Sequence, residues 1–344
     1  MEATLQTAVR VGATMSIVGD LVIVHGCWLG NVGERKPNQR ILTAMGVVNL
    51  AASLAYLLGD VLMVPPKGTA SQAACNFQGF VIQISVAVPL LTAFLATNYL
   101  LAIRYRWEVR RLERLRRLAF FAIAIFSSLT AIIPLIVGGY ANAGPVWCWV
   151  TEQPPLLRFV LFYGPLWACI CYTVFVMGWL VKLTVAHDVN MRKLNSSRSA
   201  TGPNKFATTK RTLRQATLYC VVFILAWLLL TVVRIRDAVM EKNAAGRDSP
   251  QLALAAFFFV TLQGFFNMII FILPRIVQAN SYPHARWTVK LRFVFSLTGT
   301  EDLERDASHR ASLRQTETPK TTSSTARESG HIPASVDSDA VAQA

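Results

Sequence analysis

The sequence predicts an all-α membrane protein: a seven-transmembrane helix bundle with a short amphipathic helix after helix seven and a disordered tail. Three observations carry that fold class. Seven apolar stretches are each long enough to cross a bilayer, which takes about 20 mostly apolar residues. The loops between them alternate between cation-rich and cation-poor. The composition is 53% hydrophobic and 15% charged, with a mean hydropathy of +0.41, more apolar than soluble domains usually are.

The elements follow in chain order. Residues 1–10 read as a short extracellular amino terminus, and 11–275 as the bundle. Helix one, Val11 to Leu29, carries Asp20 midway and is followed by no small-residue cleavage site, so it serves as the membrane signal itself. A loop with Arg35, Lys36 and Arg40 leads to helix two, Ile41 to Val64, with Asn49 near one end and Asp60 near the other. Lys67 is the lone cation before helix three, Phe77 to Ile103, which holds Gln78, Gln83 and Asn98. The next loop carries Arg104, Arg106, Arg110, Arg111, Arg114, Arg116 and Arg117 against Glu108 and Glu113. Helix four, Leu118 to Tyr140, and helix five, Leu156 to Val181, flank a loop whose one charge is Glu152. Basic residues return before helix six, Ala216 to Val233, among them Arg192, Lys193, Lys210, Arg211 and Arg214. A mixed loop then precedes helix seven, Leu252 to Leu273.

Lysine and arginine accumulate on the cytoplasmic side of membrane proteins. The alternation therefore predicts an amino terminus outside, a carboxyl terminus inside and a multi-pass protein of the plasma membrane. The same distribution accounts for the net charge of +15 without nucleic acid as a partner, since contact with anionic lipid explains most of these cations.

Six cysteines divide by depth. Cys27, Cys169, Cys171 and Cys220 fall inside helices, whereas Cys75 and Cys148 fall at or beyond the outer ends and face an oxidising compartment. A disulfide between these two pins the loop after helix four over the mouth of helix three; two free thiols are the weaker alternative. The five histidines are scattered without ligand spacing. The reading is a protein that is not an enzyme, with no cofactor and no metal.

Beyond helix seven, Trp287, Leu291 and Phe295 recur every four residues beside Arg286, Lys290 and Arg292. That pattern predicts an amphipathic helix over 282–297 on the inner leaflet. The remaining 298–344, rich in Ser, Thr and charge, reads as a disordered cytoplasmic tail. Its hydroxyls offer sites for kinases and arrestin-like proteins.

Polar residues within a bundle are costly in lipid and mark candidate sites. Asp60, Gln78, Gln83, Arg158 and Arg234 are candidates for contact with a ligand near the outer mouth, and guanidinium groups there suit a small anionic ligand. Asp20, Asn49, Asn98, Gln263 and Asn267 are candidates for a polar switch, with Gln263 and Asn267 one helical turn apart and Asn49 expected at the depth of Asn267. Pro89, Pro134 and Pro165 are expected kink points.

Several strings resemble one family, the cAMP-receptor-like G-protein-coupled receptors of slime moulds and fungi. They are Cys75-Asn76-Phe77-Gln78-Gly79-Phe80 with Asn98-Tyr99, Trp147-Cys148-Trp149, Leu157-Arg158-Phe159 with Phe162-Tyr163-Gly164, and Gln263-Gly264-Phe265-Phe266-Asn267. The resemblance spans about Val11 to Phe295. It implies a receptor for a small extracellular ligand, anionic or a nutrient, signalling to the Gα subunit of a heterotrimeric G protein. Arg104, Arg106, Arg110, Arg111, Arg114, Lys210 and Arg211 are then the candidate docking residues. Helix three lacks the acidic-Arg-aromatic triplet of rhodopsin-like receptors, and Asn267-Met268 stands where those place Asn-Pro. No lysine lies in helix seven to hold retinal. A small-solute transporter is the alternative reading.

Overall fold

A long apolar run in lipid satisfies its backbone only by closing hydrogen bonds within itself, so the apolar stretches become helices. A computed structural model describes residues 2–28, 37–65, 69–143, 146–151, 155–195, 205–240, 250–295 and 300–317. Helices α1 (Glu2–Trp28) and α2 (Pro37–Leu58) form the first two spans, and a 3-10 turn (Gly59–Leu62) closes the second. The third span is α3 (Gln72–Ile84) joined to α4 (Ala87–Ile103), and the fourth is α5 (Val109–Ile136). A hairpin of β1 (Tyr140–Asn142) and β2 (Cys148–Val150) follows. The fifth span runs through α6 (Pro155–Arg158), a π-helical segment (Phe159–Tyr163) and α7 (Gly164–Asn195). Helix α8 (Lys205–Met240) contains the sixth, and α9 (Pro250–Thr261) with α10 (Gln263–Asn280) makes the seventh. Two further helices, α11 (Trp287–Val294) and α12 (Thr300–Glu317), lie beyond it.

Five of these spans are long and apolar enough to cross a membrane, α9 and α10 together make another that bends by 52°, and Thr217–Val233 within α8 is a shorter apolar helix. The seven predicted stretches are thus the seven spans. Residues 2–10, expected to precede helix one, are its opening turns, with Val9 buried. The third span is the axis of the bundle: 72% of its most apolar stretch is buried, against 22–44% in the first, second, fourth and fifth.

Two of the expected prolines disrupt helices, and each acts four residues upstream, where its ring meets a carbonyl and its missing N–H leaves that carbonyl without a helical partner. Pro89 corresponds to a break at Ser85–Val86 between α3 and α4, with Val88 N–H donating to the Ser85 carbonyl (2.9 Å). Pro165 leaves the Leu161 carbonyl, which lies in the π-helical segment and accepts from Gln83 Nε2 at 3.1 Å. Pro134 lies inside a helix that continues to Ile136. The seventh span breaks without a proline. Thr261 Oγ1 donates back to the carbonyls of Phe257 and Phe258, both at 3.0 Å, an arrangement that bends helices. One turn on, the Gly264 N–H donates to Ser16 Oγ (2.8 Å) on α1.

At the tail end of the bundle, α11 directs Phe293 and Val294 inward, while Trp287, Leu291 and Phe295 are exposed on its other side. The apolar face expected for the membrane surface is therefore free to meet lipid. The tail requires a correction. Residues 300–317, expected to be disordered, form α12, whose Leu303 is fully buried among Ile270, Phe271, Phe293 and Val294. Tyr282 Oη donates to Glu304 (2.8 Å), which pushes the phenol pKa up, and the Arg286 N–H donates to Asp306 (2.6 Å). Residues 318–344 lie outside the described residues. Since one buried leucine anchors an otherwise polar helix, Leu303→Asp is expected to release α12. Tryptic cleavage after Arg305 and Arg310 should then accelerate roughly tenfold, as local opening becomes easy, and unchanged cleavage would contradict the anchoring.

Candidate functional site

The lid is assembled from the axis outward. The hairpin pairs Tyr140 with Val150, Ala141 with Trp149 and Asn142 with Cys148. Cys148 is bonded to Cys75 at the start of α3, with the Cα atoms 5.3 Å apart. Gln78, one turn below Cys75, has its whole amide engaged. Its Nε2 donates to the carbonyls of Ala55 and Gly59, both at 2.9 Å, and its Oε1 accepts from the Cys148 N–H at 2.8 Å. Gly79 is required beside it, because a Cβ there would meet Cδ1 and Cε1 of Tyr140 within 2.9 Å.

Gln83 does the same one level deeper. Its Oε1 accepts from Trp149 Nε1 (2.9 Å) while its Nε2 takes the Leu161 carbonyl. Arg158 donates through Nε (3.1 Å) and Nη2 to the Val150 carbonyl, and its guanidinium lies 4.9 Å from the Trp149 ring. The two tryptophans fill the mouth. Trp147 packs on Tyr56 (4.8 Å) and Phe257 (5.1 Å), and Trp149 on Phe162 (5.0 Å). At the edge, Asn142 exchanges two hydrogen bonds with the backbone of Val64 (2.8 and 3.1 Å).

Three of the residues expected to contact a ligand are engaged with the lid. Gln78, Gln83 and Arg158 are buried and hold the lid to the third and fifth spans. Asp60 is paired with Arg10 at 2.5 Å, tying α1 to the end of the second span. The side chain of Arg234 lies outside the described residues. Trp147, Trp149 and Asn142 are lid residues to which sequence reasoning assigned no role.

Beneath Tyr56 is a polar chamber in the bundle interior, lined by Ser16, Asn49, Ser53, Tyr56, Ser85, Trp227 and Gln263 among others. Two of the expected switch residues, Asn49 and Gln263, meet there. Asp20, one turn below Ser16, is fully buried, with Ser16 Oγ 3.5 Å from its Oδ2. Asn98 and Asn267 are buried as well but do not line the chamber.

At the tail end, Arg104, Arg106, Arg110, Arg111 and Arg114 are exposed on the turn after α4 and the first turns of α5. Arg116 is different: it is buried and bonded to Glu113 at 3.0 Å. Lys210 and Arg211 belong to α8, and their side chains lie outside the described residues.

Comparison with known proteins fits this architecture. A solved structure of squid rhodopsin aligns with a TM-score of 0.56, covering 93% of each chain at 16% identity, which establishes a shared fold. Cyclic AMP receptor 4 of Dictyostelium discoideum is 22% identical over 291 residues, or 82% of this chain. The match spans 60% of that relative's length. The family model described as slime mold cyclic AMP receptor matches residues 2–312. The chain therefore belongs to the slime mold cyclic AMP receptor family.

Proposed function

We propose that this protein is a G-protein-coupled receptor of the plasma membrane that converts binding of a small extracellular ligand into nucleotide exchange on a Gα subunit. The observation that carries the reading is the family match over 2–312, supported by a lid and a basic turn at opposite ends of one seven-helix bundle. In this reading the disulfide-bonded lid faces outside and the arginine-rich end faces the cytoplasm, in keeping with cation bias. The amino terminus is then extracellular. The exposed Arg104, Arg106, Arg110, Arg111 and Arg114 form part of the docking surface, with Lys210 and Arg211 on the neighbouring helix. Membrane lipids meet α11, and kinases and arrestin-like proteins act on the tail. The ligand reaches the bundle where Trp147 and Trp149 now sit, so its binding is coupled to movement of the lid. Family membership disfavours the small-solute transporter.

The test uses the full chain in vesicles with a purified heterotrimer, cyclic AMP as the first probe and other small anions beside it. Ligand-dependent exchange is expected. Changing Arg110, Arg111 and Arg114 together to Gln should lower that exchange about tenfold, since several charged contacts are lost together. Ligand affinity measured without G protein should stay nearly unchanged, because linkage operates only when the second partner is present. An unaltered exchange rate in the triple variant would remove the arginines from the docking surface.

A further inference from the structure

The second, third and sixth spans bring polar groups to one place and leave them unpaired there. Asn49 Nδ2, Ser85 Oγ and Trp227 Nε1 are buried without hydrogen-bond partners among the described residues, and all three residues line the chamber beneath Tyr56. A buried polar group left in that state carries its full desolvation penalty.

Size and charge restrict what could relieve them. The space is about 20 Å3 for the centres of water molecules, and one water needs roughly 10–15 Å3 on that measure. Its lining includes no acid, lysine, arginine or histidine. The occupant is therefore small, neutral and able to accept hydrogen bonds from an amide and an indole while donating to the oxygens of Ser53, Ser85 or Gln263, which line the same space. Water meets all of these conditions, since buried waters make 2–4 hydrogen bonds to groups that would otherwise go unsatisfied.

We propose that the chamber is a binding site for one water molecule, which accepts from the Trp227 indole and the Asn49 amide and hydrogen-bonds the Ser85 hydroxyl. It joins the sixth span to the second, and to the third at the break between α3 and α4. A bridging water is enthalpically nearly as good as a direct hydrogen bond, and it can leave when the helices part. The lid bears on this tie through single aromatic rings: Phe162 lies 5.0 Å from Trp149 and 5.1 Å from Trp227, and Tyr56 lies 4.8 Å from Trp147. Displacement of either tryptophan thus reaches the chamber wall in one step. The site stands whichever ligand or G protein the receptor uses.

The test uses the full chain in lipid nanodiscs, labelled with 15N at the tryptophan indoles. The Trp227 resonance is identified by its loss in Trp227→Phe, or by elimination through single Phe variants at the other tryptophans should that variant fail to fold. Cross-relaxation between the Trp227 indole proton and water is expected. A water-soluble paramagnetic agent should broaden the resonance of Trp287, which is 70% exposed, and spare that of Trp227. Ser85→Ala removes one partner of the water and should lower the melting temperature by roughly 2 °C, while the Trp227 cross-peak persists because the other partners hold the molecule. A Trp227 indole without contact to water overturns the site. So does one broadened together with Trp287, since the chamber then opens to bulk solvent. Loss of the cross-peak in Ser85→Ala identifies the serine hydroxyl as its source and also overturns it. A Ser85→Ala protein that melts at or above the wild type does the same, because a dry chamber is relieved when an unpaired hydroxyl is removed.

Discussion

Gly19→Val is expected to abolish the folded receptor, with almost no correctly assembled protein recovered from the membrane. Even a Cβ at position 19 would lie 2.6 Å from the Gly264 carbonyl oxygen and 2.9 Å from both Gly264 C and Phe265 Cα. Those atoms are backbone of the neighbouring span and cannot rotate away. The reciprocal position is no freer, since a Cβ on Gly264 would come within 2.6 Å of Asp20 Cγ. The first and seventh spans therefore touch backbone to backbone at the break in the seventh, as small residues permit in membrane bundles.

Inserting atoms into a packed core costs about 1–3 kcal/mol when side chains can adjust. Here the obstacle is main chain, so Gly19→Ala should reach the upper part of that range and Gly19→Val exceed it. Gly178 provides the control. No atom lies within 4 Å of its would-be Cβ, so Gly178→Ala should be neutral or slightly stabilising through helix propensity. Thermal unfolding of the purified variants separates the two cases. Similar melting temperatures for Gly19→Ala and Gly178→Ala would show that the spans can part without loss.

How much of this was legible in the sequence depends on the range of each signal. Spans are written locally, as runs of apolar residues. The pairing of Cys75 with Cys148 followed from topology, because only those two cysteines fall at the lid end. A bundle-holding hydrogen-bond role was readable for Gln78 and Gln83 as an alternative to ligand contact, but the partners of Gln78, Gln83 and Arg158 were not legible. Their partners are main-chain atoms or an indole, contributed by segments such as Ala55, Cys148, Trp149 and Leu161, and no residue type announces a distant carbonyl as an acceptor.

The same holds for the chamber. Asn49 was expected at the depth of Asn267, but the chamber brings it to Gln263 instead, and only packing shows that Ser16, Ser85 and Trp227 complete the space between them. Helix α12 was missed for another reason. Its polar composition outweighed a real start signal, Glu301 and Asp302 in the first turn, together with Leu303 and Ala307 one turn apart on a single apolar seam.

Breaking the lid should produce the second large effect, and a pair of substitutions separates its two fastenings. Cys75→Ala with Cys148→Ala removes a crosslink spanning 73 residues, for which chain entropy alone suggests about 4 kcal/mol in a free polypeptide. The third and fourth spans already confine the ends of that loop, so about half that value is expected for the bundle. Gln78→Ala leaves the disulfide in place but strips a partner from the Cys148 N–H and from the carbonyls of Ala55 and Gly59. Each buried group left unpaired costs about 1–3 kcal/mol, and Gln78→Ala is therefore expected to destabilise at least as much as loss of the disulfide. The double cysteine variant should also speed modification of the lid by a water-soluble tryptophan reagent, as Trp147 and Trp149 leave the mouth. Gln78→Ala should do so more weakly, since the covalent tie remains. A Gln78→Ala protein that melts with the wild type would mean that water replaces the glutamine at no cost, and that the disulfide alone holds the lid.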